Sequence, residues 1–109
     1  MDPIQPAVMQ QIRSYVAALR ALGVHPTRVL LFGSYARGTA TPWSDIDLLI
    51  VSPDFDSLEP PERPRVLARA NRALLAPIQA LWTTPSALER ASPASFLREV
   101  LREGIEIAA

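Results

Sequence analysis

Two short apolar runs with a glycine-serine turn between them fix how the middle of this chain must fold. The first run is Arg28-Val29-Leu30-Leu31-Phe32. The turn is Gly33-Ser34-Tyr35-Ala36-Arg37-Gly38, and the second run, about Asp45 to Ser52, opens on Ser44-Asp45-Ile46-Asp47-Leu48. Runs this short, bounded by proline and glycine, read as strands rather than helices. The segment therefore predicts a strand, a brief helical turn closed by Gly38, and a second strand ended by Pro53. On the second strand Ile46, Leu48 and Ile50 share one face, while Asp45, Asp47, Leu49 and Val51 share the other.

The flanks supply helices. Ile4, Val8, Ile12, Val16 and Leu19 recur at three- and four-residue spacing and predict a helix over Gln5 to Leu22, with Pro6 in its first turn and Gly23 at its stop. A polar, proline-rich link runs to Pro61. A second helix is expected over Arg63 to Leu75, buried through Val66, Leu67, Ala70 and Leu74. Pro77 to Thr83 reads as a third strand and Pro85 to Ala91 as a helical turn. Pro93 to Glu103 reads as a third long helix with Phe96, Leu97, Val100 and Leu101 inward, and Ile105-Glu106-Ile107 as an edge strand. The expected fold is α/β (α+β), a small mixed β-sheet with helices packed on one face and the carboxylates on the other.

The 109 residues make one domain, residues 1–109, with 49% hydrophobic residues to fill a core. There is no cysteine, which fits a reducing, cytoplasmic setting. No apolar run reaches the roughly 20 residues that span a bilayer. Met1-Asp2-Pro3-Ile4-Gln5-Pro6 has no basic stretch leading into an apolar one, so neither a membrane association nor a secretory signal is expected. Formal net charge is zero, so no global field draws in nucleic acid and any anion site must be local. All eleven basic residues are arginine, which leaves no lysine for phosphate binding or Schiff-base chemistry. The eleven prolines cluster between elements and at their starts and act as punctuation.

The turn and the acidic pair carry the chemistry. Glycine lets backbone approach a ligand closely, a strand leading into a helical turn presents free amides to an anion, and the Ser34 hydroxyl adds a donor. The Gly33-to-Gly38 spacing imitates a P-loop, but Thr39 stands where the lysine is required and no full helix follows. Asp45 and Asp47, about 6.5–7 Å apart along one strand face, repel each other unless a cation intervenes. Mg2+ is commonly held by one or two carboxylates together with substrate phosphates.

The string Gly33-Ser34-Tyr35-Ala36-Arg37-Gly38, then Ser44-Asp45-Ile46-Asp47-Leu48, resembles the signature of the DNA polymerase β-like nucleotidyltransferase superfamily. More narrowly it is similar to the minimal nucleotidyltransferases encoded beside HEPN-domain proteins. That resemblance implies the polymerase β-like fold. It also implies attack of a hydroxyl on the α-phosphorus of a nucleoside triphosphate, with Mg2+ as cofactor and ATP as substrate. Carried over by position, Gly33 and Ser34 would hold the triphosphate, with Arg37 beside them, and Asp45 and Asp47 would be catalytic metal ligands. The implied role is that of an antitoxin transferring AMP to a tyrosine of a HEPN ribonuclease toxin. One position departs from the pattern. Gln79 stands where the family places a third carboxylate, and an amide is neutral and a very poor base. The alternative is therefore a catalytically weakened module that neutralises a HEPN partner by complex formation.

Other residues carry less. Arg65, Arg69 and Arg72 line one helix face, read as a solvated face before a partner or RNA contact. Arg37 is open between a phosphate contact and a cap on the carboxylates. Trp43 is expected to pack as a lid on the core rather than stack on a base, Trp82 to be core, and His25 to lie at the surface. Leu49 and Val51 need cover from the link 53–61 or from another chain, which leaves a homo-oligomer open.

Overall fold

The computed structural model describes residues 4–72, 74 and 76–107. Met1, Asp2 and Pro3, and the expected helix end at Leu75, lie outside the described residues. Helix α1 spans Pro6–Ala21, begins on its proline and buries Val8, Ile12, Tyr15, Val16 and Leu19. Strand β1 is Arg28–Phe32, α2 is the single turn Ser34–Arg37, and β2 is Ile46–Val51. Helix α3 covers Glu62–Arg72, β3 covers Ile78–Thr83, α4 covers Pro85–Glu89, α5 covers Phe96–Glu103, and β4 covers Ile105–Ile107. Short polar side chains start the late helices. Thr84 accepts from Ala87 N–H, and Ser95 accepts from Arg98 N–H, which moves the start of α5 inward from the expected Pro93.

The four strands form one mixed sheet in the order β3-β2-β1-β4. β1 is antiparallel to both β2 and β4, and β2 runs parallel to β3 with α3 in the crossover. The main core lies between this sheet and α1 and α3, and it takes in Leu31, Ile46, Leu48, Ile50, Val66, Leu67 and Ile78. Tyr15 is wholly buried there, and its hydroxyl donates to Leu67 O at 2.9 Å, which ties α1 to α3.

The mixed α/β class holds, but helices lie on both faces. A second, smaller cluster gathers Leu30, Leu49 and Val51 under Leu88 of α4 and Val100 of α5, with Leu97 and Leu101 beside them. Leu49 and Val51 are therefore covered by the chain's own C-terminal helices. The link 53–61 is occupied elsewhere. Pro53–Ser57 forms a 3-10 turn capped by Ser52, and Phe55 is fully buried in the main core with its ring 5.4 Å from that of Trp82. Trp82 is half-buried under Arg63, whose guanidinium sits 5.0 Å from the ring centroid.

Candidate active site

The antiparallel register of β1 with β2 and the parallel register of β2 with β3 place three side chains in a row across the sheet. Phe32 of β1 stands opposite Asp47 of β2, and Asp47 stands beside Gln79 of β3. All three belong to the face opposite the main core. Gln79 is exposed in the neighbouring strand position, and among the described residues its side chain makes no hydrogen bond.

The turn closes over this row. Gly33 directly follows Phe32 and has φ +73° and ψ −149°, a conformation close to glycine-only territory. A Cβ at Gly33 would lie 3.1 Å from Asp47 Cγ and would overlap the carboxylate oxygen. The backbone of the turn and the acid are thus in direct contact. Gly33 O accepts from the amides of Ala36 and Arg37 at 3.1 Å each, which starts α2. The amides of Ser34 and Tyr35, in the first turn, have no carbonyl of their own helix to reach. Gly38, left-handed at φ 74°, ends the turn by donating to Ser34 O.

Asp45 precedes β2 and is exposed, and its position is fixed on both sides. Before it, Thr41 and Ser44 close a turn through Thr41 N–H to Ser44 Oγ at 2.8 Å and Ser44 N–H to Thr41 O at 3.0 Å. After it, Ile46 N–H donates to Pro77 O at 2.7 Å and pins the start of β2 against β3. Burial, and next the charge of Asp45, raise the Asp47 pKa above the usual carboxylate range, while the Arg37 guanidinium pulls it the other way. The structure therefore brings Gly33, Asp45, Asp47 and Arg37 within electrostatic or van der Waals reach, with Ser34 at the head of the turn. Arg37 forms no salt bridge among the described residues and is only half-buried, free to meet a ligand.

Two mutually repelling carboxylates are the donor chemistry that a hard divalent ion takes. Among the described residues no cluster of three or more acidic, histidine or cysteine side chains forms. The remaining ligands would therefore come from substrate oxygens and water.

The surroundings correct two expectations. Trp43 is no lid: it is 90% exposed at the tip of the 41–44 turn, because that turn is satisfied by its own hydroxyls and lifts the indole off the sheet. Phe96 does not point inward. It is 54% exposed, held edge-on against Phe32 with ring centroids 5.6 Å apart. Leu81, two residues from Gln79 on β3, is 44% exposed. The site is thus an open shelf with apolar residues at its rim. A separate cleft of about 350 Å3, lined by Ile4, Gln5, Tyr35, Gly38, Ala40, Thr41 and Pro42, flanks α2. His25 is exposed, as expected, and is engaged by Asp54. Arg65 pairs with Glu62, as a solvated face would.

A four-stranded mixed sheet with its turn-and-carboxylate segment between β1 and β2 defines the nucleotidyltransferase fold. The chain belongs to the nucleotidyltransferase domain family, which matches residues 10–103. A relative from Methanocaldococcus jannaschii, provisionally named a protein adenylyltransferase, is 34% identical over 80 residues, spanning 73% of this chain and 77% of the relative. Two solved structures share the fold. A toxin–antitoxin crystallised with AMP-PNP aligns with a TM-score of 0.60 at 24% identity, over 90% of this chain and 70% of that one. A Sulfolobus solfataricus protein provisionally named a nucleotidyltransferase aligns with a TM-score of 0.57 at 20% identity, over 97% and 89%. No helix among the described residues is long and apolar enough to cross a membrane.

Proposed function

We propose that this protein transfers AMP from ATP to a tyrosine hydroxyl of a HEPN-type toxin partner, with Gly33, Ser34 and Arg37 holding the triphosphate and Asp45 and Asp47 as catalytic metal ligands. The observation that carries the reading is the contact between Asp47 and the backbone of Gly33. It sets the amides at the head of α2 beside the acid, so that an anion and a cation held there would be neighbours. The adenylyltransferase name of the archaeal relative supports adenylyl transfer, and the toxin–antitoxin identity of one structural neighbour supports a toxin as partner.

Bound Mg2+ would neutralise the charge that develops on the phosphate oxygens. This chain's own residues do the rest. The amides at the head of α2 and the Ser34 hydroxyl receive the β- and γ-phosphates, and Arg37 adds charge. Asp45 and Asp47 would hold the divalent ion, and through it the α-phosphate would be kept over the sheet. The acceptor oxygen forms a bond to the α-phosphorus, and the bond to the bridging oxygen of pyrophosphate breaks. The acceptor's proton leaves to solvent, because Gln79, the side chain beside Asp47, is a neutral amide with no capacity to take it.

That same register favours a second reading. With Gln79 in the place beside Asp47, turnover is weak and the protein restrains its partner chiefly by binding. Co-expression with a HEPN-domain protein, addition of labelled ATP and recovery of the complex distinguishes the two. Label on the partner that disappears in Asp47→Asn supports transfer. A tight complex without label supports neutralisation by occlusion. No complex and no label overturns both.

A further inference from the structure

We infer that Phe96 is the stacking surface for the nucleobase of the bound nucleotide, an inference that rests on the nucleotide site proposed above. Its position follows from the way α5 lies on the sheet. β4 leaves Gly104 and pairs antiparallel with β1, Ile105 against Leu31, so the C-terminal end of α5 sits at the β1–β4 side. The helix therefore runs back from there over the sheet. Arg98 and Leu101 line a cleft with Arg28 and Val51, at the far end of β2 from the acids. Phe96 lies on the opposite long edge of the helix, with Val100 between the two edges buried against the sheet. Phe96 on that edge touches Phe32, which is itself the cross-strand neighbour of Asp47.

The reaction geometry sends the nucleoside this way. In a displacement at phosphorus the attacking and leaving oxygens stand roughly in line. Pyrophosphate leaves toward Gly33 and Ser34, at the end of β1. The acceptor then enters from the opposite side, over β3, so the line of attack crosses the strands. The ribose oxygen on the α-phosphorus lies across that line. Beside the acids in that crossing plane stands the exposed ring of Phe96, carried there by its contact with Phe32.

That surface is prepared. More than half of Phe96 is open to solvent, yet the ring is held edge-on by Phe32. Its helix is capped by Ser95, and Arg98 donates to Ala91 O and Glu89 O at 3.1 Å each, which fastens the start of α5 to the preceding loop. Trp43, the other exposed aromatic near the acids, has its backbone fixed but shows no ring partner among the described aromatic pairs. A π-face without a hydrogen-bond reader accepts every base, so selection among bases is expected to be weak.

The test compares calorimetric titration of MgATP and of magnesium inorganic triphosphate into the wild type and Phe96→Ala. Stacking on one base predicts that Phe96→Ala weakens ATP about five- to hundred-fold and leaves triphosphate unchanged. Phe96→Trp keeps ATP affinity, and its added fluorescence over the wild type is quenched by ATP and not by triphosphate. Equal loss for both ligands, no loss for ATP, or unquenched fluorescence in Phe96→Trp overturns the inference while the nucleotide site stands. Unchanged ATP affinity with reduced transfer to the partner makes Phe96 an acceptor contact and overturns it too. A wild type that binds neither ligand removes the nucleotide site and the inference with it.

Discussion

The carboxylate of Asp47 fills the space that a side chain at Gly33 would need. One consequence is that Gly33 answers to two demands at once, a backbone conformation at positive φ and the absence of a Cβ. Gly33→Ala should therefore lose about 1–3 kcal/mol from the backbone alone, plus the displacement of Asp47. Denaturant unfolding of Gly33→Ala, Asp47→Ala and the double variant checks this. The pair should couple, with the double variant less destabilised than the sum, by roughly 0.5–3 kcal/mol.

Gln79 is exposed beside Asp47. Gln79→Asp adds a third carboxylate to the site, beside Asp45 and Asp47, without disturbing the core. Labelled AMP transfer to the partner should rise at least about tenfold in saturating Mg2+, a floor set below the roughly hundredfold at which general-base contributions begin, because the added base has a low pKa. A wild type as fast as Gln79→Asp would mean that the amide costs nothing.

Much of the fold is legible in the amino-acid sequence, and for a definable reason. Arg28–Phe32 is a strand at its expected bounds because β-branched and apolar residues between Pro26 and Gly33 leave no other solution. The signature segment is equally readable, since glycine and proline mark its ends. The carboxylate face is only half readable. Alternation assigns Leu49 and Val51 to the face of Asp47 but says nothing of what covers them, and the cover comes from α4 and α5, some forty residues away. Phe55 is hidden by its neighbours, because Pro53, Asp54 and Asp56 give the segment the composition of a linker while a Ser52 cap folds it into a buried turn. Phe96 misleads for the opposite reason. Its four-residue spacing from Val100 matches an inward stripe, yet the first residue of a helix lies beyond the edge of the core it borders. The anion and metal roles of the turn and the acids have a local signal, whereas the reaction and the partner have none and enter through family resemblance.

Asp54 gives the pH dependence of the scaffold. The backbone N–H of His25 donates to Asp54 Oδ2 at 2.7 Å, the ring Nδ1 lies 3.1 Å from it, and these contacts hold the acid below the usual carboxylate range. A depressed folded pKa means that the unfolded chain binds the proton more tightly. The contact stabilises above the unfolded value of about 3.9 and fades as pH falls through the folded one. Asp54→Ala should lower Tm by at most a few degrees at pH 7, because the pair is solvent-exposed. The difference from the wild type should shrink in thermal melts below about pH 4.

Tyr15→Phe separates scaffold from site. It removes the buried hydroxyl bond to Leu67 O, which sits inside α3, a loss of about 0.5–1.5 kcal/mol in stability. ATP affinity, measured well below the Tm, should not change, since Tyr15 lies on the opposite face of the sheet from Asp47.

The central claim is that Asp45 and Asp47 hold a divalent ion beneath a triphosphate cradled at Gly33 and Ser34. Calorimetric titration of ATP into the wild type with Mg2+, with EDTA, and into Asp47→Asn with Mg2+ tests it most directly. The account predicts binding that depends on Mg2+ and falls at least about tenfold in Asp47→Asn, as loss of a direct ligand should exceed the usual effect of losing an outer one. Equal ATP affinity with and without the ion, or in Asp47→Asn, would contradict it.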